Sequence, residues 1–195
     1  MQPDTVAIYD DRGLRWAETH ARAGRRADAQ RFAVQVGDGV LRMDIGCGAG
    51  RYAPYLGQPL IGLDASLVML EECRLRAPGG AYVLGDVEAL PFATRSIGGG
   101  WSCMTHLHVP RLRLPVALWD LQRVLTVDAP FDIQVLAGDY EGNDLPDDTL
   151  GGRFFAGWQP ESLTDVLTGA GFEVDPASVT ISGDEVRLRA RRSRT

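Results

Sequence analysis

Lysine is missing from this chain: its twenty lysine-plus-arginine residues are all arginine. That excludes a Schiff base and every other lysine-dependent chemistry. Cysteine is scarce. Cys47, Cys73 and Cys103 stand far apart, without the paired spacing of a zinc site or disulfide framework. They are expected as free thiols of a reducing compartment, which makes the cytoplasm the expected location. No window holds 18 uninterrupted apolar residues, and the first residues lack a basic-plus-apolar secretion pattern, so no membrane span is expected. Positive charge is short as well. A net charge of -6 and a pI of about 5.0 argue against broad binding to nucleic acid.

What is present suits one folded domain over 195 residues. With 45% hydrophobic and 24% charged residues, the chain can bury roughly 70% of its unfolded surface. The expected division is a helical cap over 1–37, a core over 38–190 and a frayed basic tail over 191–195.

The most informative stretch is DGVLRMDIGCGAG at 38–50. Val40, Leu41 and Met43 make a short apolar run closed by Asp44, and Gly46, Gly48 and Gly50 follow at alternate positions. A buried strand ending in a glycine-dense turn opens a nucleotide site in a doubly wound α/β domain. Glycine allows positive φ and lets a ligand lie against bare backbone. A helix starting near Gly50 would aim free amide groups at it. The spacing is not a dinucleotide fingerprint, because the third glycine would fall at Arg51. No Lys-Ser or Lys-Thr follows, which excludes a Walker loop.

The remaining pattern alternates strands with helices. Asp10–Ala23 and Arg25–Val36 have helical spacing, and Tyr52–Leu56 reads as the continuation of the helix after the glycines. Residues 60–63 form a second strand ending at Asp64, an acid placed to accept from two vicinal ribose hydroxyls. Ser66 caps a helix running to Arg76. Strands follow at 81–84, 97–104 and 131–137, with a helix over 114–125 between the last two. Residues 138–152 carry five acids and no base, and without metal-ligand spacing a solvated loop is expected. No metal site is expected. Residues 153–158 add exposed-looking aromatics. Pro160 and Glu161 open a last helix ended by Gly171. Residues 172–174 and 179–181 look like one interrupted strand, paired with 185–190 around Gly183-Asp184. The expected fold is a Rossmann-like α/β three-layer sandwich: a mostly parallel seven-stranded sheet closed by an antiparallel C-terminal hairpin. Gly46, Asp64, Asp86 and His106 all fall at the carboxyl edge.

These pieces resemble the class I S-adenosylmethionine-dependent methyltransferases, and most closely their small-molecule and quinone-type branch. The matching motifs are DIGCGAG at 44–50, IGLDAS at 61–66, GDVEALPF at 85–92, LQRVL at 121–125 and GWQPESLTDVLTGAGFEV at 157–174. The resemblance implies S-adenosyl-L-methionine as cofactor. Asp44, Gly46, Cys47, Gly48 and Gly50 would lie along its methionine part and Asp64 and Ala65 at the ribose. Asp86 and Val87 would lie near the base, and Met104 is a further cofactor-binding candidate. It implies direct transfer of an activated methyl to a small-molecule acceptor. A hydroxyl acceptor would need a base, for which His106 or His108 stand ready. Their i,i+2 spacing lets only one face the crevice. Tyr9, Trp16, His20, Tyr140, Phe154, Phe155 and Trp158 are candidates for the acceptor pocket. A monomer or homodimer is expected. The alternatives are an NAD-dependent oxidoreductase and a non-catalytic nucleoside-binding protein of the same fold.

Overall fold

The computed structural model describes residues 1–19 and 25–194; His20 and the end of the expected helix Asp10–Ala23 lie outside them. The main sheet holds β1 (Arg42–Ile45), β2 (Leu60–Asp64), β3 (Ala81–Leu84), β4 (Gly100–Cys103), β5 (Pro130–Leu136), β8 (Phe172–Val174), β9 (Thr180–Ser182) and β10 (Glu185–Arg192). Its order is β3-β2-β1-β4-β5-β10-β8, parallel through β5, with β10 antiparallel to both β5 and β8. β9 continues the position of β8 along β10, so 172–174 and 180–182 are one strand interrupted by the turn at Pro176–Ser178. A two-stranded ribbon, β6 (Glu141–Gly142) with β7 (Phe155–Ala156), stands apart.

Among the described residues five helices cover the sheet: α1 (Pro3–Thr19), α2 (Arg26–Val36), α3 (Leu67–Arg76), α4 (Leu114–Val124) and α5 (Pro160–Gly169). α4 and α5 bury Leu118, Leu121, Leu163 and Leu167 with Met43, Ile45, Phe131, Ile133 and Val135 on one face. α2 and α3 bury Phe32, Leu70 and Cys73 with Leu60 and Trp101 on the other. That alternation of side chains along β1 and β5 is the period of two of an extended strand.

The sandwich is less regular than the sequence suggests. α1 begins at Pro3, seven residues before the expected Asp10. No α-helix follows the glycines: the link from β1 to β2 contains only a three-residue 3-10 turn, Ala53–Tyr55. The link from β3 to β4 has no helix either, so the expected alternation of strands with helices is broken there. Gly98 and Gly99, which look like weak strand residues, serve close packing instead. A Cβ on Gly98 would lie 2.2 Å from Val40 Cγ1, and one on Gly99 2.5 Å from Val36 Cγ2. The basic tail is not frayed before Arg194. Arg192 and Ser193 are buried, bonding Gln122 O and Gly171 O at 2.8 Å each.

Arg42 substitutes for the missing helix. Its side chain is 1% exposed. The guanidinium donates to the carbonyls of Ala33, Gly37, Val40, Leu56 and Gln58. It thereby ties the end of α2 and the 3-10 turn to β1. Burial lowers its pKa. Arg42→Met keeps the stem but orphans these carbonyls, and is expected to cost about 2–3 kcal/mol in urea unfolding. An unchanged midpoint would refute that role.

Candidate functional site

The carboxyl edge of β1, β2 and β4 closes under α1 around a cavity of about 230 Å³. Gly46 and Gly48, both with positive φ, turn the chain over it. Gly46 N–H and Cys47 N–H both donate to Leu63 O, at 2.7 and 3.0 Å, which stitches the turn to β2. Thr105, just beyond β4, packs on Gly46 and donates to Ile45 O at 2.9 Å.

Two acids form the floor. Asp64 Oδ2 accepts from Gly48 N–H at 2.8 Å and Oδ1 from Ser66 N–H at 2.9 Å. With the N–H of Ala65 also directed at it, the carboxylate keeps one further acceptor position. Burial raises the Asp64 pKa, against those N–H groups and that of Ala65. Asp44 is 3% exposed and its Oδ2 has no hydrogen-bond partner among the described residues. Burial, then the charge of Asp64, pushes its carboxyl up to about 8. Such an atom beside a cavity calls for a cationic donor.

The opposite wall is a chain of hydrogen bonds. Arg153 Nη1 donates to Tyr9 Oη at 2.8 Å, and Tyr9 Oη lies 3.0 Å from His108 Nε2. His108 Nδ1 lies 2.6 Å from Phe154 O. A carbonyl only accepts, so Nδ1 carries the proton and Nε2 receives the Tyr9 hydroxyl. Burial holds His108 down at about 4 and Tyr9 above its usual value. Asp148 accepts from Arg153 Nε at 2.9 Å and stays below the usual carboxylate range despite burial. α1 is fastened over this wall: Phe154 N–H donates to Thr5 Oγ1 at 2.9 Å and Ser66 Oγ to Asp10 at 2.6 Å.

Of the expected residues, Asp44, Gly46, Cys47, Gly48, Asp64, Met104, Tyr9, Trp16, Phe155 and His108 line this cavity. The others stand elsewhere. Gly50 packs on α3, where a Cβ would meet Cys73 Sγ at 2.7 Å. Ala65 contributes only its backbone beside Asp64. Asp86 takes the ammonium of Met1 at 2.5 Å and Glu88 N–H at 3.0 Å, and Val87 is buried in the core. Tyr140 bonds Asp144 at 2.6 Å. Phe154 and Trp158 are buried, and Arg111 lies over the Trp158 ring at 5.8 Å. They anchor the chain rather than wall the pocket. His106 faces the core: its Nδ1 lies 2.7 Å from Ser102 Oγ and its ring is edge-on to Phe131 at 6.2 Å, with burial holding it at about 4. The acidic loop is not freely solvated, since Asp148 is buried on Arg153.

Pattern reading missed Thr105, Tyr52, Cys103 and above all Arg153. Its signal was present: it is the first base after five acids, directly before two phenylalanines. An arginine that must enter the interior needs such a carboxylate partner.

The fold is similar to that of solved methyltransferases, and part of the chain matches a methyltransferase family model. Residues 43–131 match the family described as Methyltransferase domain. A malonyl-(acyl-carrier protein) O-methyltransferase from Erwinia pyrifoliae is 32% identical over 128 residues, covering 64% of this chain and 48% of that protein. The chain thus spans about half the length of the curated relatives it matches. Among solved structures, the complex of the Haloferax volcanii Trm112 methyltransferase activator with a methyltransferase gives a TM-score of 0.78 at 16% identity, covering 98% of each chain. The 1,6-didemethyltoxoflavin-N1-methyltransferase of Burkholderia thailandensis, with bound 1,6-didemethyltoxoflavin and S-adenosylhomocysteine, gives 0.73 at 19% identity, covering 97% of this chain and 86% of that one. At these identities the structural likeness concerns the fold. No helix of the described residues is long and apolar enough to cross a membrane.

Proposed function

We propose that this protein is an S-adenosyl-L-methionine-dependent methyltransferase that acts on a small-molecule acceptor. What carries the proposal is the unpartnered Oδ2 of Asp44, buried beside the cavity under the glycine turn. The cofactor is an amino acid joined to a nucleoside, and its ammonium group is the donor such a carboxylate lacks. Gly46, Cys47 and Gly48 would lie along the amino-acid part, and Asp64 keeps an acceptor position for a ribose hydroxyl. When bound, this cofactor supplies an activated methyl on a sulfonium sulfur. The family match and the relatives' methyltransferase activity support the same conclusion. The NAD-dependent alternative has no support, since Arg51 occupies the third fingerprint position.

The chain's own residues supply position, dryness and a proton acceptor. Trp16, Phe155, Leu136 and Leu145 line the cavity with apolar surface for an acceptor and against water. If the acceptor carries a hydroxyl, His108 is the base, because His106 does not reach the cavity. Nε2 of the neutral imidazole is the free-base nitrogen, and Tyr9 holds it until an acceptor hydroxyl replaces the phenol. Arg153 steadies Tyr9 from behind. A monomer or homodimer suffices for this arrangement.

Calorimetry with S-adenosylmethionine, S-adenosylhomocysteine and NAD tests the proposal. Micromolar-scale binding of the first two and none of NAD is expected; tight NAD binding would overturn it. Asp64→Ala should weaken S-adenosylhomocysteine binding by roughly 1.5–3 kcal/mol, the scale of a hydrogen bond to a charged group. Unchanged affinity would remove Asp64 from the site. With an acceptor in hand, His108→Gln should slow methyl transfer at least roughly 100-fold, the usual scale of general-base catalysis. A rate equal to wild type would discard the base and leave the cofactor site standing.

A further inference from the structure

A second cavity, of about 360 Å³, lies on the other flank of the sheet, over β4, β5 and β10 beneath α2. Its origin is visible in the sequence of β5. A central strand covered on both faces should read as a continuous apolar run. PFDIQVL instead alternates, and the parity sends Asp132 and Gln134 to the α2 face, while Phe131, Ile133 and Val135 enter the core with α4 and α5. β10 repeats the pattern, sending Arg187 and Arg189 the same way as Asp132 and Gln134. The sheet therefore spends buried strand positions on polar side chains, at a cost that needs compensation.

The compensation is incomplete within the chain. Arg31 donates to Asp132 Oδ2 at 2.8 Å, Arg187 to Asp28 at 2.8 Å, and Gln134 Oε1 accepts from Cys103 Sγ at 3.4 Å. Four polar atoms on this lining still have no partner among the described residues: Trp101 Nε1, Gln134 Nε2, Arg187 Nε and Asp132 Oδ1. Asp132 and Gln134 are only 6% and 4% exposed. Buried polar atoms without partners are rare, a few in a hundred residues. Half of the eight found among the described residues belong to side chains that line this one cavity.

Three of those atoms are N–H donors and one is a carboxylate oxygen. An occupant must therefore offer acceptor oxygens on one side and a hydrogen-bond donor on the other. The lining carries Arg31, Arg187 and Arg189 with Asp28 and Asp132, and Asp175 just outside it pairs Arg189 at 3.3 Å, so the surround is close to neutral and suits an occupant bearing both an ammonium and carboxylates. We infer that this cavity is a second small-molecule site, selective for an α-amino dicarboxylate: its ammonium against Asp132 and its carboxylates against Gln134, Trp101 and Arg187. The cavity is separate from the cofactor cavity but backs onto it, since Cys103 and Tyr52 line the first while touching Gln134 and Trp101 of the second.

Titration calorimetry of the full chain with L-glutamate is the test, with glutarate as the analogue that lacks the amine. L-Glutamate should bind once per chain, and glutarate roughly tenfold more weakly or less, because Asp132 Oδ1 then loses its donor. Gln134→Leu and Arg187→Met should each weaken L-glutamate roughly tenfold and leave S-adenosylhomocysteine binding unchanged. Arg187 is at the half-exposed rim, so that variant remains informative if the Gln134 variant does not fold. Absence of L-glutamate binding at about 10 mM, on the weak side of a millimolar site, would overturn the inference. So would glutarate binding as tightly, both variants binding L-glutamate as wild type does, or competition between L-glutamate and S-adenosylhomocysteine. Loss of S-adenosylhomocysteine binding in wild type alone would instead strike the proposed function.

Discussion

A Gly46→Ala protein is expected to lose about 3–6 kcal/mol of stability and to bind S-adenosylhomocysteine at least roughly 100-fold more weakly. Two separate costs add. Gly46 has φ +67°, where any other L-residue is strained, by roughly 1–2 kcal/mol. Its Cβ would also lie 2.1 Å from Thr105 Oγ1, 2.3 Å from its Cγ2 and 2.7 Å from its Cβ. Thr105 cannot swing away cheaply, because it is 4% exposed and its hydroxyl is bonded to Ile45 O. Overpacking of that kind costs about 1–3 kcal/mol, and loss of the threonine bond about 1 kcal/mol more. Relief of either clash moves the turn that frames the proposed cofactor site. Urea unfolding and calorimetry measure the two effects. Thr105→Gly in the same chain should recover the steric part and leave the backbone part. A Gly46→Ala protein with wild-type affinity would show that the turn does not shape the site.

Acidifying the ligand-free protein from pH 8 to 6.5 is expected to stabilise it by about 1 kcal/mol, the reverse of ordinary acid denaturation. The cause is Asp44, whose folded pKa of about 8 stands well above its unfolded value near 3.9. Native Asp44 is half protonated at pH 8 and almost fully so at 6.5, while the unfolded group stays ionised, so its contribution falls as pH rises, by about 1.7 kcal/mol over the interval, and the onset of histidine protonation in the unfolded chain offsets nearly half of that. His106 and His108 act oppositely. Both are held near 4 by burial, against about 6.5 when unfolded. Their contribution is complete from about pH 7.5 upward and is lost as pH falls through 6.5 toward 4. Asp64 and Asp132, also raised by burial, oppose that loss. Stability should therefore climb from pH 8 to a maximum near or below 6.5. Chemical denaturation across this range checks it: Asp44→Asn should flatten the limb above 6.5, and a flat wild-type profile there would refute the assignment. The same carboxylate makes ligand binding pH-dependent. A cationic ligand beside Asp44 displaces its proton, so affinity should weaken by up to about tenfold per unit below pH 8.

These two expectations rest on residues of different legibility. Asp44 and Gly46 stand in the sequence as the close of an apolar run and the start of a glycine series. Strand length and glycine conformation are local matters, so the chain alone could place them. The same holds for Asp64 at the end of β2, for Ser66 as a helix cap bonded to Met69 N–H at 3.2 Å, and for the antiparallel return of β10 after Gly183. What the sequence alone determined was thus the sheet, its carboxyl edge and the turn laid across it, because backbone geometry and the periodicity of apolar residues act over a few positions at a time.

Tertiary structure decided the rest. The local spacing of THLH let one histidine face the crevice but did not say which; the 3-10 turn chose His108 and gave His106 to Ser102. Nothing near Asp86 announced that the ammonium of Met1 would lie against it. The helix expected after the glycines is absent, and Arg42, read as one strand residue among others, holds its place through carbonyls up to 16 residues away. Arg153 reaches Tyr9 across 144 positions. Charge and hydrogen bonding select partners by distance in space, and a chain read in order carries no record of that distance until α1 has closed over the edge of the sheet.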